Sequence, residues 1–169
     1  MIHLYLGGAR SGKSSLAEDR AYRWPGQVVY VATARSHPSM AERIELHRKR
    51  RPVSWHCIEE PLALAELIAQ AQAGQLLLID CLTLWLTNQM MAEADLNQAR
   101  DQLVTALASS AAEVVLVSTE VGQGLIPDDP MSQAFVAAAG ELHQAIAQEA
   151  NSVTFCQAGH PIVLKEPGV

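Results

Sequence analysis

The stretch Gly7-Gly8-Ala9-Arg10-Ser11-Gly12-Lys13-Ser14 leaves this chain few folds to choose from. It follows the apolar run Ile2-His3-Leu4-Tyr5-Leu6 and passes into Ser15-Leu16-Ala17-Glu18-Asp19-Arg20, which reads as helix. A G-x-x-x-x-G-K-S pattern therefore lies between a strand and a helix, the context in which it cradles phosphate. Glycines let backbone N–H groups turn inward around phosphate oxygens, and the helix N-terminus adds its positive dipole at the same spot. Lys13 is then placed to reach the β and γ phosphates, and the Ser14 hydroxyl to hold Mg²⁺. A glycine-rich turn can simply join a strand to a helix, but the full pattern with both flanking elements favours a nucleotide.

The rest of the chain alternates in the same way. After Pro25-Gly26, Gln27 to Thr33 reads as a buried strand; a helix is expected from Ser39 or Met40 to Arg50, with Met40, Ile44 and His47 along its stripe. Pro52 ends that segment, and Val53 to Ile58 reads as a short strand. Glu59-Glu60-Pro61 is expected to open a third helix that Gly74 closes. Gln75-Leu76-Leu77-Leu78-Ile79-Asp80 and Val114-Val115-Leu116-Val117-Ser118 are continuous apolar runs, the pattern of central strands buried on both faces of a parallel sheet. Helical patterns run over Leu82 to Met91 and from Leu96 through Leu107. A long loop, Gly122 to Pro130, precedes a last helix striped by Phe135, Ala139, Leu142 and Ile146, and two short strands end the chain. The expected architecture is an α/β domain with a mainly parallel sheet and helices on both faces. Ligands of such sheets bind beyond the carboxyl ends of the strands, so the loops after Leu6, Ala32, Asp80 and Ser118 should line the site.

With 169 residues, 49% of them hydrophobic, the chain suits one domain spanning 1–169. It has no 18-residue apolar run and no basic start followed by a long apolar segment, so a cytoplasmic protein without a membrane span is expected. Cys57, Cys81 and Cys156 have neither disulfide-framework nor zinc spacing and read as small buried residues. The net charge of −6 hides an asymmetry: through Arg51 there are 10 Lys/Arg against 4 Asp/Glu, and from Pro52 on there are 2 against 14. Basic charge gathers around the phosphate loop, as a polyphosphate ligand requires, while the acidic remainder and 5% aromatic content argue against a nucleic-acid partner.

Two further residues could carry chemistry. Asp80, at the end of a hydrophobic strand, matches the acidic residue that sits beside Mg²⁺ in phosphate-loop proteins, or else caps the following turn. His47 is followed by Arg48-Lys49-Arg50-Arg51. A ring nitrogen can act as a nucleophile while adjacent cations stabilise charge on an attacked phosphate; the spacing alone also fits a boundary histidine on a basic helix end. His3, His37, His56, His143 and His160 share no metal-ligand spacing and read as surface or packing residues.

Several motifs in order carry a resemblance. They are Gly7 to Ser14, Ala32-Thr33-Ala34, Met40-x-x-Arg43-Ile44-x-x-His47-x-x-x-Arg51, Trp55 and Glu59-Glu60-Pro61, then Asp80-Cys81-Leu82-Thr83-Leu84-Trp85-Leu86-Thr87-Asn88 and Glu120-Val121-Gly122-x-Gly124-Leu125-Ile126-Pro127. Over nearly its whole length the chain resembles the bifunctional adenosylcobinamide kinase/adenosylcobinamide-phosphate guanylyltransferases of cobalamin biosynthesis. The resemblance implies a small RecA-like domain with two activities. ATP or GTP phosphorylates the aminopropanol hydroxyl of adenosylcobinamide; a histidine then takes GMP from GTP and passes it to the corrinoid phosphate, giving adenosylcobinamide-GDP. By motif position the histidine is His47. The implied catalytic residues are His47 and Lys13, and the implied nucleotide site comprises Gly7 to Ser14, Ala32, Thr33, Ala34, Arg48, Lys49, Arg50, Arg51, Glu59, Asp80 and Cys81. Ser14 and Asp80 would hold Mg²⁺. Partners are the nucleotides and a corrinoid, and the resemblance implies a homo-oligomer, with a trimer as the form that related proteins suggest.

The chain departs from the family pattern in two places. Acidic residues usually precede the histidine helix, where this chain has His37-Pro38-Ser39-Met40; charged residues usually follow the Glu120 to Pro127 loop, where it has Ser132 to Ala137 and Gly140-Glu141-Leu142-His143. These departures bear on corrinoid binding, subunit contacts and the rate of the kinase step, while the nucleotide and guanylyl-transfer residues persist. A small-molecule kinase with a single activity is the nearest alternative, followed by a RecA-type ATPase and a nucleotide sensor without turnover.

Overall fold

The computed structural model describes residues 1–34 and 51–167. Its strands are β1 (Ile2–Gly7), β2 (Gln27–Ala32), β3 (His56–Glu59), β4 (Gln75–Asp80), β5 (Glu113–Thr119), β6 (Ser152–Gln157) and β7 (His160–Lys165). Its helices are α1 (Lys13–Tyr22), α2 (Leu64–Gln70), α3 (Leu82–Met91), α4 (Leu96–Ser109) and α5 (Pro130–Glu149). The strands form one sheet in the order β3-β2-β4-β5-β1-β6-β7, parallel throughout except for β7.

The continuous apolar runs take the interior places. Along β1, β4 and β5, alternate residues feed two cores, as the two-residue period of a strand requires. Leu4, Leu6, Ile79 and Leu116 pack under α2 to α5 with Leu82, Trp85, Leu103 and Leu142. Tyr5, Leu78, Val115 and Val117 pack under α1 with Ala17 and Ala21. Helices thus cover both faces, and removing any of these leucines would cost about 2–5 kcal/mol. None of the described helices is long and apolar enough to cross a membrane.

Several boundaries differ from the sequence reading. The strand expected over 53–58 begins only at His56, because Trp55 N–H closes a turn onto Pro52 O. α2 starts at Leu64 rather than beside Pro61, since the Glu60 carboxylate accepts from Leu62 N–H and Ala63 N–H and holds a turn ahead of the helix. α2 ends at Gln70, and Gly74, with φ +89, instead serves the turn into β4. Cys156 is buried as expected, but Cys57 is exposed, because β3 is an edge strand. The helix expected over 39–50 lies outside the described residues.

At the amino end of the strands the polar groups close on one another. His3 is buried, its Nδ1 2.7 Å from Ser152 Oγ and its Nε2 2.6 Å from Glu113 Oε1. The terminal ammonium lies 3.5 Å from Glu113 Oε2, and Asn151 pairs with Ile2 in both directions. His143 is buried too, its Nε2 2.6 Å from Ser118 Oγ, whereas His56 and His160 are exposed. Packing and surface roles for these four histidines agree with the sequence reading.

Candidate active site

The carboxyl ends of the strands gather the residues that the sequence singles out. The phosphate loop leaves β1 at Gly7 and enters α1 at Lys13. Two of its three glycines, Gly7 and Gly12, are required by close approach, while Gly8 faces open space. A Cβ on Gly7 would lie 2.3 Å from Ser11 Oγ and 2.7 Å from Cys156 O. Gly12 has φ +89, and a Cβ there would meet Gly159 Cα at 2.9 Å. Gly159 belongs to the two-residue turn between β6 and β7, where Ala158 and Gly159 both have positive φ, as a tight antiparallel hairpin favours. Gly159 N–H donates to Ser11 O at 2.8 Å, so that turn braces the loop from outside.

No side chain caps the N-terminus of α1, which leaves its first N–H groups to a ligand. Lys13 reaches back across the loop and donates to Gly8 O at 3.1 Å. Lys13 also stands close enough to Cys156 to oppose the rise that burial gives that thiol's pKa. Arg10, with φ +55, and Ala9 are exposed at the loop's crest, and Ser14 is half-buried on the first turn of α1.

Asp80 ends β4, two strands from β1 with β5 between them. Its Oδ2 accepts from Tyr30 OH at 3.0 Å. Burial first, and the Asp80 carboxylate second, hold the phenol proton well beyond the ordinary tyrosine range, so Tyr30 is a fixed donor. The Arg51 guanidinium lies over the Tyr30 ring, 3.5 Å from its centroid. Among the described residues, two buried side-chain polar atoms lack a hydrogen-bond partner, and both are here: Ser11 Oγ and Arg51 Nε. Unpaired buried polar groups cost about 1–3 kcal/mol each, so two of them at one edge mark a place prepared for a polar ligand.

A hydrogen-bonded knot sets the opposite wall. Thr33 Oγ1 donates to Cys81 O at 2.7 Å and accepts from Cys81 N–H at 2.9 Å; Thr33 N–H donates to Asp80 O at 3.1 Å. Asn88, on α3, donates to both Thr33 O and Pro61 O at 2.9 and 3.0 Å. Trp85 Nε1 and Gln89 Nε2 both donate to Leu62 O. The Asp80 to Asn88 motif therefore fixes the loops after β2, β3 and β4 against one another, and Ala32, Thr33, Ala34, Cys81 and the exposed Glu59 lie on those ends.

Gly7 to Ser14, the 32–34 turn, Arg51, Glu59, Asp80 and Cys81 are thus all placed along the carboxyl edge of the sheet. His47, Arg48, Lys49 and Arg50 lie outside the described residues. Sequence reasoning assigned nothing to Tyr30, hidden within an apolar strand, or to Asn88 and Glu120, which appear only as letters of the family motifs. For Asn88 the signal was its place one turn beyond the buried Trp85.

The fold and the sequence both have relatives. A protein of Pyrococcus horikoshii aligns over 98% of this chain and 86% of its own, with 8% identity and a TM-score of 0.54. An ATPase of a bacterial type III secretion system aligns over 91% of this chain and 50% of its own, with 9% identity and a TM-score of 0.53. These likenesses show the fold alone. The bifunctional adenosylcobalamin biosynthesis protein CobP of Pseudomonas aeruginosa is 47% identical, covering 98% of both chains. The bifunctional adenosylcobalamin biosynthesis protein CobU of Escherichia coli is 35% identical, over 98% of this chain and all of its own. Residues 3–164 match the family described as cobinamide kinase / cobinamide phosphate guanyltransferase. On that match, and on relatives that align from end to end, the chain belongs to the cobinamide kinase / cobinamide phosphate guanyltransferase family.

Proposed function

We propose that this enzyme performs both transfers with one nucleotide site at the carboxyl edge of the sheet, and that His47 carries GMP between them. The observation that supports it most is the convergence there of the bracing glycines, Lys13, Asp80 and the two unpartnered buried atoms, Ser11 Oγ and Arg51 Nε. In the first transfer the loop N–H groups and Lys13 bind the β and γ phosphates of ATP or GTP, and the hydroxyl of adenosylcobinamide attacks the γ-phosphorus. In the second, a ring nitrogen of His47 attacks the α-phosphorus of GTP and pyrophosphate leaves. The phosphate oxygen of adenosylcobinamide phosphate then attacks the guanylyl phosphorus, and the imidazole leaves. Cations beside the histidine favour both halves, because each spreads negative charge over phosphate oxygens.

Asp80 and Ser14 suit Mg²⁺. Both offer hard oxygen donors, and Asp80 keeps Oδ1 free of the Tyr30 hydrogen bond, so the phosphates and water would complete the shell. When bound there, the metal would neutralise charge on the phosphates. The remaining residues of the nucleotide site, Ala32, Thr33, Ala34, Arg48, Lys49, Arg50, Glu59 and Cys81, border or contact the nucleotide. A cytoplasmic homo-oligomer, a trimer by its resemblance, completes the reading.

The test is to incubate the protein with Mg²⁺ and GTP labelled at the α-phosphate, and to examine wild type and His47→Ala by denaturing mass spectrometry. The expected result is an acid-labile GMP adduct on wild type that the variant lacks. A folded, GTP-binding wild type that forms no adduct would overturn the role of His47 and leave a kinase with a single activity.

A further inference from the structure

The motif that begins at Glu120 has no task in either transfer as described so far, yet the fold sets it at the middle of the site. β5 lies between β4, which ends in Asp80, and β1, which ends in the phosphate loop. One residue past β5, Glu120 N–H donates to Gly7 O at 2.8 Å, which fixes this backbone to the first glycine of the loop. Along β5, Leu116 packs in the core under α5, and Ser118 bonds His143 of α5. Glu120 follows at the same two-residue interval, and its carboxylate is close enough to His143 to favour the protonated ring.

Glu120 Oε1 accepts from Gly122 N–H at 2.6 Å, and among the described residues no Lys or Arg pairs with the carboxylate. The residues just beyond it open onto a cavity of about 340 Å³ lined by Thr87, Met90, Val121, Phe135 and Val136 among others, with no charged residue in its wall. Such a wall suits an uncharged apolar part of an acceptor, whose reacting end would then face the phosphate loop.

The two transfers differ in one proton. A hydroxyl that attacks the γ-phosphorus forms a new O–P bond as the bridging bond to the β-phosphate breaks, and it must release its proton. A phosphate monoester that attacks the guanylyl group is already ionised and has none to give. Lys13 and Arg51 are cations and cannot take the proton, and the one Asp80 oxygen that Tyr30 leaves free is the oxygen offered to Mg²⁺ in the reading above. We infer that Glu120 is the general base of the first transfer: its free carboxylate oxygen accepts the proton of the acceptor hydroxyl as the nucleoside diphosphate leaves. Positioned acid–base groups of this kind contribute about 10²–10⁴-fold to a rate. The inference rests on the kinase reading above.

The experiment compares wild type, Glu120→Gln and Glu120→Asp in the two transfers assayed apart. Phosphorylation is measured with adenosylcobinamide and ATP, and guanylyl transfer with GTP and adenosylcobinamide phosphate supplied ready-made. In Glu120→Gln the kinase kcat is expected to fall at least 100-fold, while guanylyl transfer falls less than threefold and ATP affinity is held. Glu120→Asp should recover part of the kinase rate. A kinase rate within threefold of wild type in Glu120→Gln, or an equal loss in both transfers, overturns the assignment. A wild type that phosphorylates no adenosylcobinamide would overturn the kinase reading along with it, a result separate from a failure of Glu120 alone.

Discussion

The two edges of the sheet handle their buried polar groups in opposite ways. At the amino edge, His3, Ser152, Glu113, Asn151 and the terminal ammonium satisfy one another within the protein. At the carboxyl edge, Ser11 Oγ and Arg51 Nε are buried without partners, and the N-terminus of α1 has no side-chain cap. Both edges contain a histidine bonded to a serine, so residue type does not separate them. The difference is whether hydrogen-bonding capacity is spent on the fold or left for a ligand.

Substitutions at the two edges should therefore fail in different ways. Lys13→Ala should reduce both transfers by about 10²–10³-fold, the usual cost of losing one charge-stabilising donor, with little change in thermal midpoint. Steady-state kinetics beside a melting curve check it, and a variant that loses stability instead would place Lys13 with the amino edge. His3→Ala should do the reverse: Glu113 and Ser152 lose their partner, costing about 1–3 kcal/mol in urea unfolding, while kcat and KM stay put.

Asn88 tests the boundary between the two behaviours. It holds Thr33 O and Pro61 O from a distance in sequence and touches no proposed reacting group. Asn88→Ala should cost about 1–2 kcal/mol of stability and also raise KM for GTP several-fold, because the wall beside Asp80 loosens. An effect on stability alone would show that this wall does not contact the nucleotide.

The smallest expected effect concerns pH, and both edges share its sign. Burial lowers the pKa of His3 and of His143 below the ordinary value of 6.5. A histidine whose pKa falls on folding takes its proton more readily in the unfolded chain. Stability is therefore complete above about pH 6.5 and declines as the pH drops below it. Urea midpoints of His143→Asn should vary less between neutral and mildly acidic pH than those of wild type, and an unchanged slope would remove His143 from that account.

Much of this was legible along the chain, for physical reasons. The phosphate loop is local, its glycines and lysine fall within eight residues, and its setting between strand and helix can be read at once. Asp80 was visible because a strand buried on both faces makes a terminal carboxylate conspicuous. The start of α2 was misplaced because Glu60 turns its own side chain onto Leu62 and Ala63 N–H, a competition that helix-start rules do not weigh. Cys57 was read as buried because nothing in the short run Val53 to Ile58 marks an edge strand. Tyr30 and Asn88 were missed since their partners lie 50 and 55 residues away, and only strand order brings them together.

The brace that Gly159 gives to Ser11 has a bearing on how the enzyme comes into being. The phosphate loop is made well before its support: β1 has no neighbour until β5 and β6 exist, and the turn against Gly12 comes later still. At roughly 5–20 residues per second, about 8–30 s separate the making of the loop from the making of its support. A chain cut short before Gly159 would carry the whole motif without the contacts that hold Ser11 and Gly12, so it should capture a nucleotide less tightly than the full chain.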